Sequence, residues 1–216
     1  MHVIGRTILV VLGVFALFQV IARVTRRFLA HPAPVFIAPF LTSSWRKALQ
    51  PPGKVVRYSG IEEGGQVLEI GCGNGAFTIP AARAVGGSGG ICAFDIQGSM
   101  LKRLRSELMK SQNRGIQNVE AVRGNAMQLP FVDHSFDVVF LVATLPEIPD
   151  PHMALREIKR VLKPDGKLAV SEFLPDPDFP LRSTTIRWGE ESGFFLEDVW
   201  GNFFHYTVRF RKNRNT

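Results

Sequence analysis

Cysteine is scarce in this chain. Cys72 and Cys92 are the only two in 216 residues, and each falls in or beside an apolar run of strand character. No disulfide framework is implied, and a reducing compartment fits. Also missing are any Cys, His or carboxylate cluster at metal-ligand spacing and any nucleophile–base motif, which argues against metal-assisted and triad chemistry. Acidic residues are absent from residues 1–61, a stretch that holds eight Lys/Arg. The rest of the chain carries 18 basic against 19 acidic side chains, so the formal charge of +7 belongs to the first quarter. A folded body near neutrality lacks the basic groove that tracks phosphates, which makes nucleic acid an unpromising partner, while a basic N-terminus suits an anionic membrane surface. Arg209, Arg211, Lys212 and Arg214 form a smaller cluster at the far end and keep RNA as a lesser alternative.

From residue 7 to 22 the chain is almost wholly apolar, with Gln19 the one strongly polar side chain; reaching back to residue 3 brings in Arg6. Sixteen residues rise about 24 Å as a helix, short of a hydrocarbon core of about 30 Å, although Arg6 near one end can snorkel. Three placements fit: a membrane-spanning anchor, an in-plane or re-entrant helix, or a cleaved signal peptide, the last disfavoured by a weakly charged start and no small-residue cleavage site directly after it. Arg23, Arg26 and Arg27 follow the run against Arg6 before it, which puts the body of the chain on the cytoplasmic side. We therefore expect residues 1–27 to be a hydrophobic anchor helix with a basic flank, in contact with membrane through 3–27. Residues 28–60, rich in Pro and aromatics, are either a linker or a cap over the site. Residues 61–216 are the catalytic domain.

In that domain apolar runs alternate with helical periodicity. Strands are expected at 66–70, 91–95, 119–123, 136–143 and 167–172, with helices at 77–85, 100–111 (Ser99 as N-cap), 153–162 and 182–192. Residues 163–166 read as a turn, and Pro51-Pro52 as the start of a short helix through Tyr58 that ends at Gly60, using proline's tolerance for the first turn. The pattern predicts an α/β fold with a doubly wound, mainly parallel sheet. At the end, residues 194–200 and 203–210 read as an antiparallel hairpin about a turn at Gly201-Asn202.

The organising stretch is Val67-Leu68-Glu69-Ile70-Gly71-Cys72-Gly73-Asn74-Gly75, a strand broken by alternating glycines. Glycine lets the backbone approach a ligand without a Cβ in the way. Asp95 ends the next apolar run, where its carboxylate can accept both hydroxyls of a ribose. With Phe-Asp-Ile at 94–96, Leu-Pro-Phe-Val-Asp-His-Ser-Phe-Asp-Val-Val-Phe at 129–140 and Arg-Val-Leu-Lys-Pro-Asp-Gly-Lys-Leu at 160–168, the chain resembles the class I S-adenosylmethionine-dependent methyltransferases. Within them it looks most like the ubiquinone/menaquinone biosynthesis subgroup. Two departures stand out: Asn125 replaces an aspartate in the Gly-Asp-Ala that usually precedes Leu-Pro-Phe, and the N-terminus is hydrophobic.

The resemblance implies a seven-stranded Rossmann-like methyltransferase fold and S-adenosylmethionine as cofactor. It implies that Gly71, Gly73 and Gly75 admit the methionine and ribose portion, that Asp95 takes the ribose hydroxyls, and that Asn125 with the Ala126 backbone reads the adenine edge. Ile96 and Met127 would flank the base, though Met127 serves core packing equally well. Glu69 either supports the amino group or satisfies backbone N–H groups beside the turn. On the acceptor side, Ala143, Thr144, Leu145 and Pro146 follow the fourth strand, and Glu147 is the candidate general base. His205 and Tyr206 are candidate acceptor contacts, and His134 a weak one. The expected activity is methyl transfer to a hydrophobic small molecule or lipid, with a non-catalytic cofactor-binding scaffold as the alternative class.

Overall fold

The computed structural model describes residues 44–174, 176 and 178–213, together with 5–7, 13 and 17. Among the described residues no helix is long and apolar enough to cross a membrane. The expected anchor at 7–22 lies outside them apart from positions 7, 13 and 17.

Seven strands form one sheet in the order β3-β2-β1-β4-β5-β7-β6. The first, β1 (Gln66–Ile70), is central because Val67, Leu68 and Ile70 are apolar on both faces and at most 2% exposed. It pairs in parallel with β2 (Gly90–Asp95) on one side and β4 (Phe136–Val142) on the other. Chain order reverses between those neighbours, and β3 (Val119–Arg123) extends the β2 side. A crevice therefore opens at the C-terminal ends of β1, β2 and β4, the switch point where open α/β sheets bind ligands. On the other flank β5 (Leu162–Phe173) follows β4 in parallel. The one antiparallel insertion is β7 (His205–Arg211), between β5 and β6 (Phe195–Gly201).

Helices cover both faces. Upstream of the sheet are α1 (Ser44–Leu49) and α2 (Pro52–Tyr58). In α3 (Thr78–Val85) the buried residues are Thr78, Ala81, Ala82 and Val85, the three-four spacing of a core-facing stripe. In α5 (Pro151–Val161) Ala154, Leu155, Ile158 and Val161 repeat it. Between these lies α4 (Gly98–Leu108), and α6 (Arg182–Glu191) precedes the final hairpin. The upstream segment is clamped to that hairpin: Tyr58 stacks on Trp200 with ring centroids 5.0 Å apart, and the Arg209 guanidinium lies 4.6 Å from the centre of the Trp200 ring.

Several expected boundaries move, each for a local reason. The turn expected at 163–166 lies inside β5, because Phe136 pairs with Leu162 and Val138 with Lys167, so the intervening residues form a bulge. Lys163 Nζ in that bulge donates to both oxygens of Asp137 at 2.8 Å. Ser99 is not the cap of α4; the helix starts at Gly98 with Gln97 as N-cap. Helix α5 starts two residues early, with Pro151 at its first position and Asp150 Oδ1 accepting the Met153 N–H at 2.8 Å. The hairpin turn is longer than Gly201-Asn202, since Asn202 Oδ1 accepts the N–H groups of Phe204 and His205 and delays β7 to residue 205.

Candidate active site

A cavity of about 370 Å³ fills the crevice, within the size range of small-molecule sites. Its floor is the glycine turn. The N–H groups of Gly71 and Cys72 both donate to the Phe94 carbonyl, at 2.8 and 3.2 Å, which folds the turn over the end of β2. Gly71 has φ +75°, and a Cβ there would sit 2.3 Å from Thr144 Oγ1, so glycine is required where the end of β4 closes on the turn. Gly71 and Gly73 line the cavity. Gly75 does not; a Cβ there would sit 2.5 Å from Leu104 Cδ1, and its smallness lets α4 pack close.

Asp95 lines the cavity and is 6% exposed. Its Oδ2 accepts the Gly73 N–H at 2.9 Å and its Oδ1 the Gln97 N–H at 2.8 Å. A carboxylate offers about four lone-pair sites. Two are used, and two remain for a pair of vicinal hydroxyls. Burial lifts the Asp95 pKa above the usual carboxylate range, with the two backbone N–H groups opposing the shift.

Beside Asp95 the cavity is bounded by Ile96, Asn125, Ala126 and Met127. Ile96 is 48% exposed, an apolar side chain available to cover a flat ring. Asn125 Oδ1 accepts the Met127 N–H at 2.9 Å, closing a local turn that fixes the amide. Glu69 stands apart. It is absent from the cavity wall, 2% exposed, and accepts from Thr78 Oγ1 at 2.5 Å beneath the turn. Burial pushes its pKa up to about 8.

At the other end, Ala143 takes φ +50°, unusual for a residue with a Cβ. Thr144 Oγ1 donates to the Val142 carbonyl at 3.0 Å. A short 3-10 turn, Leu145–Glu147, then brings Glu147, Ile148 and Pro149 to the cavity wall. The remaining acceptor candidates are placed elsewhere. Tyr206 is 2% exposed, its hydroxyl bonded to Thr185 Oγ1 at 2.7 Å and Pro180 O at 3.0 Å, and neither it nor His205 lines the cavity. His134 lies at the opposite end of the strands, before β4, its Nδ1 3.0 Å from both the Leu162 carbonyl oxygen and Lys212 Nζ.

Three charged residues at this end escaped the sequence reading. Arg46 of α1 lines the cavity and is 5% exposed. Asp176 also lines it. Glu172, near the end of β5, is 1% exposed, and among the described residues neither of its oxygens has a hydrogen-bond partner; burial and the charges of Asp176 and Glu147 raise its pKa well above the ordinary value. An acidic residue closing an apolar run was a usable signal for Glu172, the same one that singled out Asp95. No spacing marks Arg46.

Residues 61–192 match the methyltransferase-domain family. This chain belongs to the class I S-adenosylmethionine-dependent methyltransferases. It is similar to the demethylmenaquinone methyltransferase of Staphylococcus aureus strain MRSA252, 38% identical over 128 residues, which are 59% of this chain and 48% of that protein. The chain thus spans about half the length of the curated relatives it matches. Among solved structures, a SAM dependent methyltransferase from Aquifex aeolicus shares the fold with TM-score 0.77 at 24% identity, covering 84% of this chain and all of that one. The [4+2]-cyclase SpnF shares it with TM-score 0.67 at 20% identity, covering 78% and 82%. A methyltransferase fold therefore does not by itself set the reaction. The cavity does fit the family's cofactor: a fixed carboxylate with two lone-pair sites left, a glycine turn whose backbone forms the floor, and an exposed apolar side chain beside them.

Proposed function

We propose that this chain transfers a methyl group from S-adenosylmethionine to a hydrophobic small molecule, with residues 1–27 holding the domain at the cytoplasmic face of a membrane. The observation that supports this most is a single cavity, bounded at one end by Asp95, Ile96 and Asn125 and at the other by Val142, Ile148 and Pro149. Those apolar side chains beside Glu147 and Asp176 suit a largely apolar acceptor that carries an ionisable hydrogen.

When bound, S-adenosylmethionine supplies an electrophilic methyl on a sulfonium, so the protein's work is alignment and exclusion of water. In this reading Asp95 holds the ribose hydroxyls, and Gly71 and Gly73 let the backbone close on the ligand. Asn125 and Ala126 read the adenine edge between Ile96 and Met127. Glu69 keeps the turn in place from below. Glu147 is the base that accepts a proton from an acceptor hydroxyl, thiol or amine. The relatives' name makes a prenylated hydroquinone the first acceptor to try, and the run at 7–22 with Arg23, Arg26 and Arg27 behind it supports the membrane location.

The test is turnover by the full chain with S-adenosylmethionine and either a membrane lipid extract or a prenylated naphthohydroquinone. S-adenosylhomocysteine should accumulate, and Asp95→Ala should abolish it. Tight binding of S-adenosylhomocysteine with no turnover on any extract would instead assign a non-catalytic role.

A further inference from the structure

The cavity is walled by several carboxylates, but among the described residues only one cationic side chain, that of Arg46, reaches it. Its guanidinium is held between two rings, 5.7 Å from the centroid of Phe77 and 5.6 Å from that of Phe173. Phe77 itself lines the cavity, two residues beyond Gly75 and at the N-cap of α3. Flanking rings fix the plane of the guanidinium without using its N–H groups. Those donors are poorly matched within the protein. Among the described residues Nε has no hydrogen-bond partner, and Nη2 reaches Gln50 Oε1 at 3.5 Å, the outer limit of a bond. A buried cation with unmet donors is costly to maintain unless an anion completes it.

We propose that Arg46 is the counter-ion of the cofactor's carboxylate, so that a residue upstream of the matched family domain completes the cofactor site. This rests on the S-adenosylmethionine reading above. That cofactor carries a sulfonium, an ammonium and one carboxylate, and the cavity treats them unequally. Asp95, Glu147 and Asp176 offer negative charge, which suits hydroxyls and cations. The carboxylate needs donors, and a planar fork held by two rings matches it bidentately. Position agrees as well. Asp95, Ile96 and Asn125 gather at the nucleoside end, whereas Arg46 is packed on Phe77, the N-cap of α3 two residues beyond Gly75, and on the last residue of β5. Burial lowers the Arg46 pKa, and the nearby charge of Asp176 opposes that shift and helps to sustain the ionised form.

The test compares two adenosyl ligands by isothermal titration: S-adenosylhomocysteine, which has the carboxylate, and 5′-methylthioadenosine, which lacks the whole amino-acid tail. Arg46→Gln should weaken S-adenosylhomocysteine about thirtyfold and methylthioadenosine less than about twofold, as loss of one buried charge pair requires. Arg46→Lys should recover part of the difference, since it returns the charge without the fork. Equal losses for both ligands, or an unchanged S-adenosylhomocysteine affinity with a raised acceptor KM, would overturn the assignment. If Arg46→Gln does not fold, the wild type decides: the carboxamide of S-adenosylhomocysteine should bind at least about tenfold more weakly than the acid, and equal affinity would overturn the proposal. Wild type that binds neither adenosyl ligand would overturn the cofactor reading itself.

Discussion

The Gly73 N–H donates to Asp95 Oδ2 at 2.9 Å, tying the turn after β1 to the carboxylate that ends β2. The bond settles two things together: the approach of the glycine backbone and the direction of the carboxylate. Neither strand end can shift without the other.

Asp95→Ala removes both the acceptor for the hydroxyls and this tie. We expect S-adenosylhomocysteine affinity to fall about a hundredfold or more, from the loss of two hydrogen bonds to a charged group at about 1.5–3 kcal/mol each. Isothermal titration measures it. A loss under about threefold would show that the ribose is held elsewhere.

Gly71→Ala should destabilise the fold by about 2–4 kcal/mol, because its Cβ meets Thr144 Oγ1 and its φ is positive. Gly87→Ala is the control. A Cβ there meets nothing within 4 Å, and the change should be neutral or slightly stabilising. Urea unfolding of the two variants makes the comparison.

Glu69 predicts a pH dependence. Its folded pKa of about 8 lies above its ordinary value of 4.5 because burial disfavours the charged form. The native state therefore holds the proton more tightly than the unfolded chain does. The stability this confers is complete below the unfolded pKa and is lost as pH rises through the window from about 4.5 to about 8. Glu69→Gln, which retains an oxygen for Thr78 and carries no charge, should flatten the profile and unfold at higher urea than wild type at pH 9. A wild-type profile with no decline between pH 5 and 9 would contradict this.

Asn125→Asp restores the carboxylate that the family pattern leads one to expect. Its oxygen can keep accepting the Met127 N–H while adding charge toward an adenine amino donor. Cofactor affinity should rise about threefold at neutral pH. A fall would mean that the Asn125 amide donates to the base instead.

Most of the sheet was legible in advance because β1, β2 and β4 are buried on both faces and read as continuous apolar runs. Asp95 was legible for a related reason: a carboxylate that interrupts such a run sits where the strand meets the crevice. The start of β5 was not, because Lys163-Pro164-Asp165-Gly166 has turn composition, and only the partner strand reveals a bulge. Ser99 looked the better cap, but the backbone is already turned at Gln97, whose N–H goes to Asp95. Arg46 left no trace in its own neighbourhood. The rings that hold it, Phe77 and Phe173, belong to distant parts of the chain, and only packing brings them together.

The stack of Tyr58 on Trp200 bears on how the protein is made. Tyr58 precedes its partner by the whole parallel part of the sheet, and β7, which inserts between β5 and β6, follows both of the strands it separates. Until then β5 has a bare edge with Ala169 and Val170 ready to pair with any other strand. The β5 edge is thus covered only once both hairpin strands have been made, and chains held short of that point are the ones a chaperone has reason to shield.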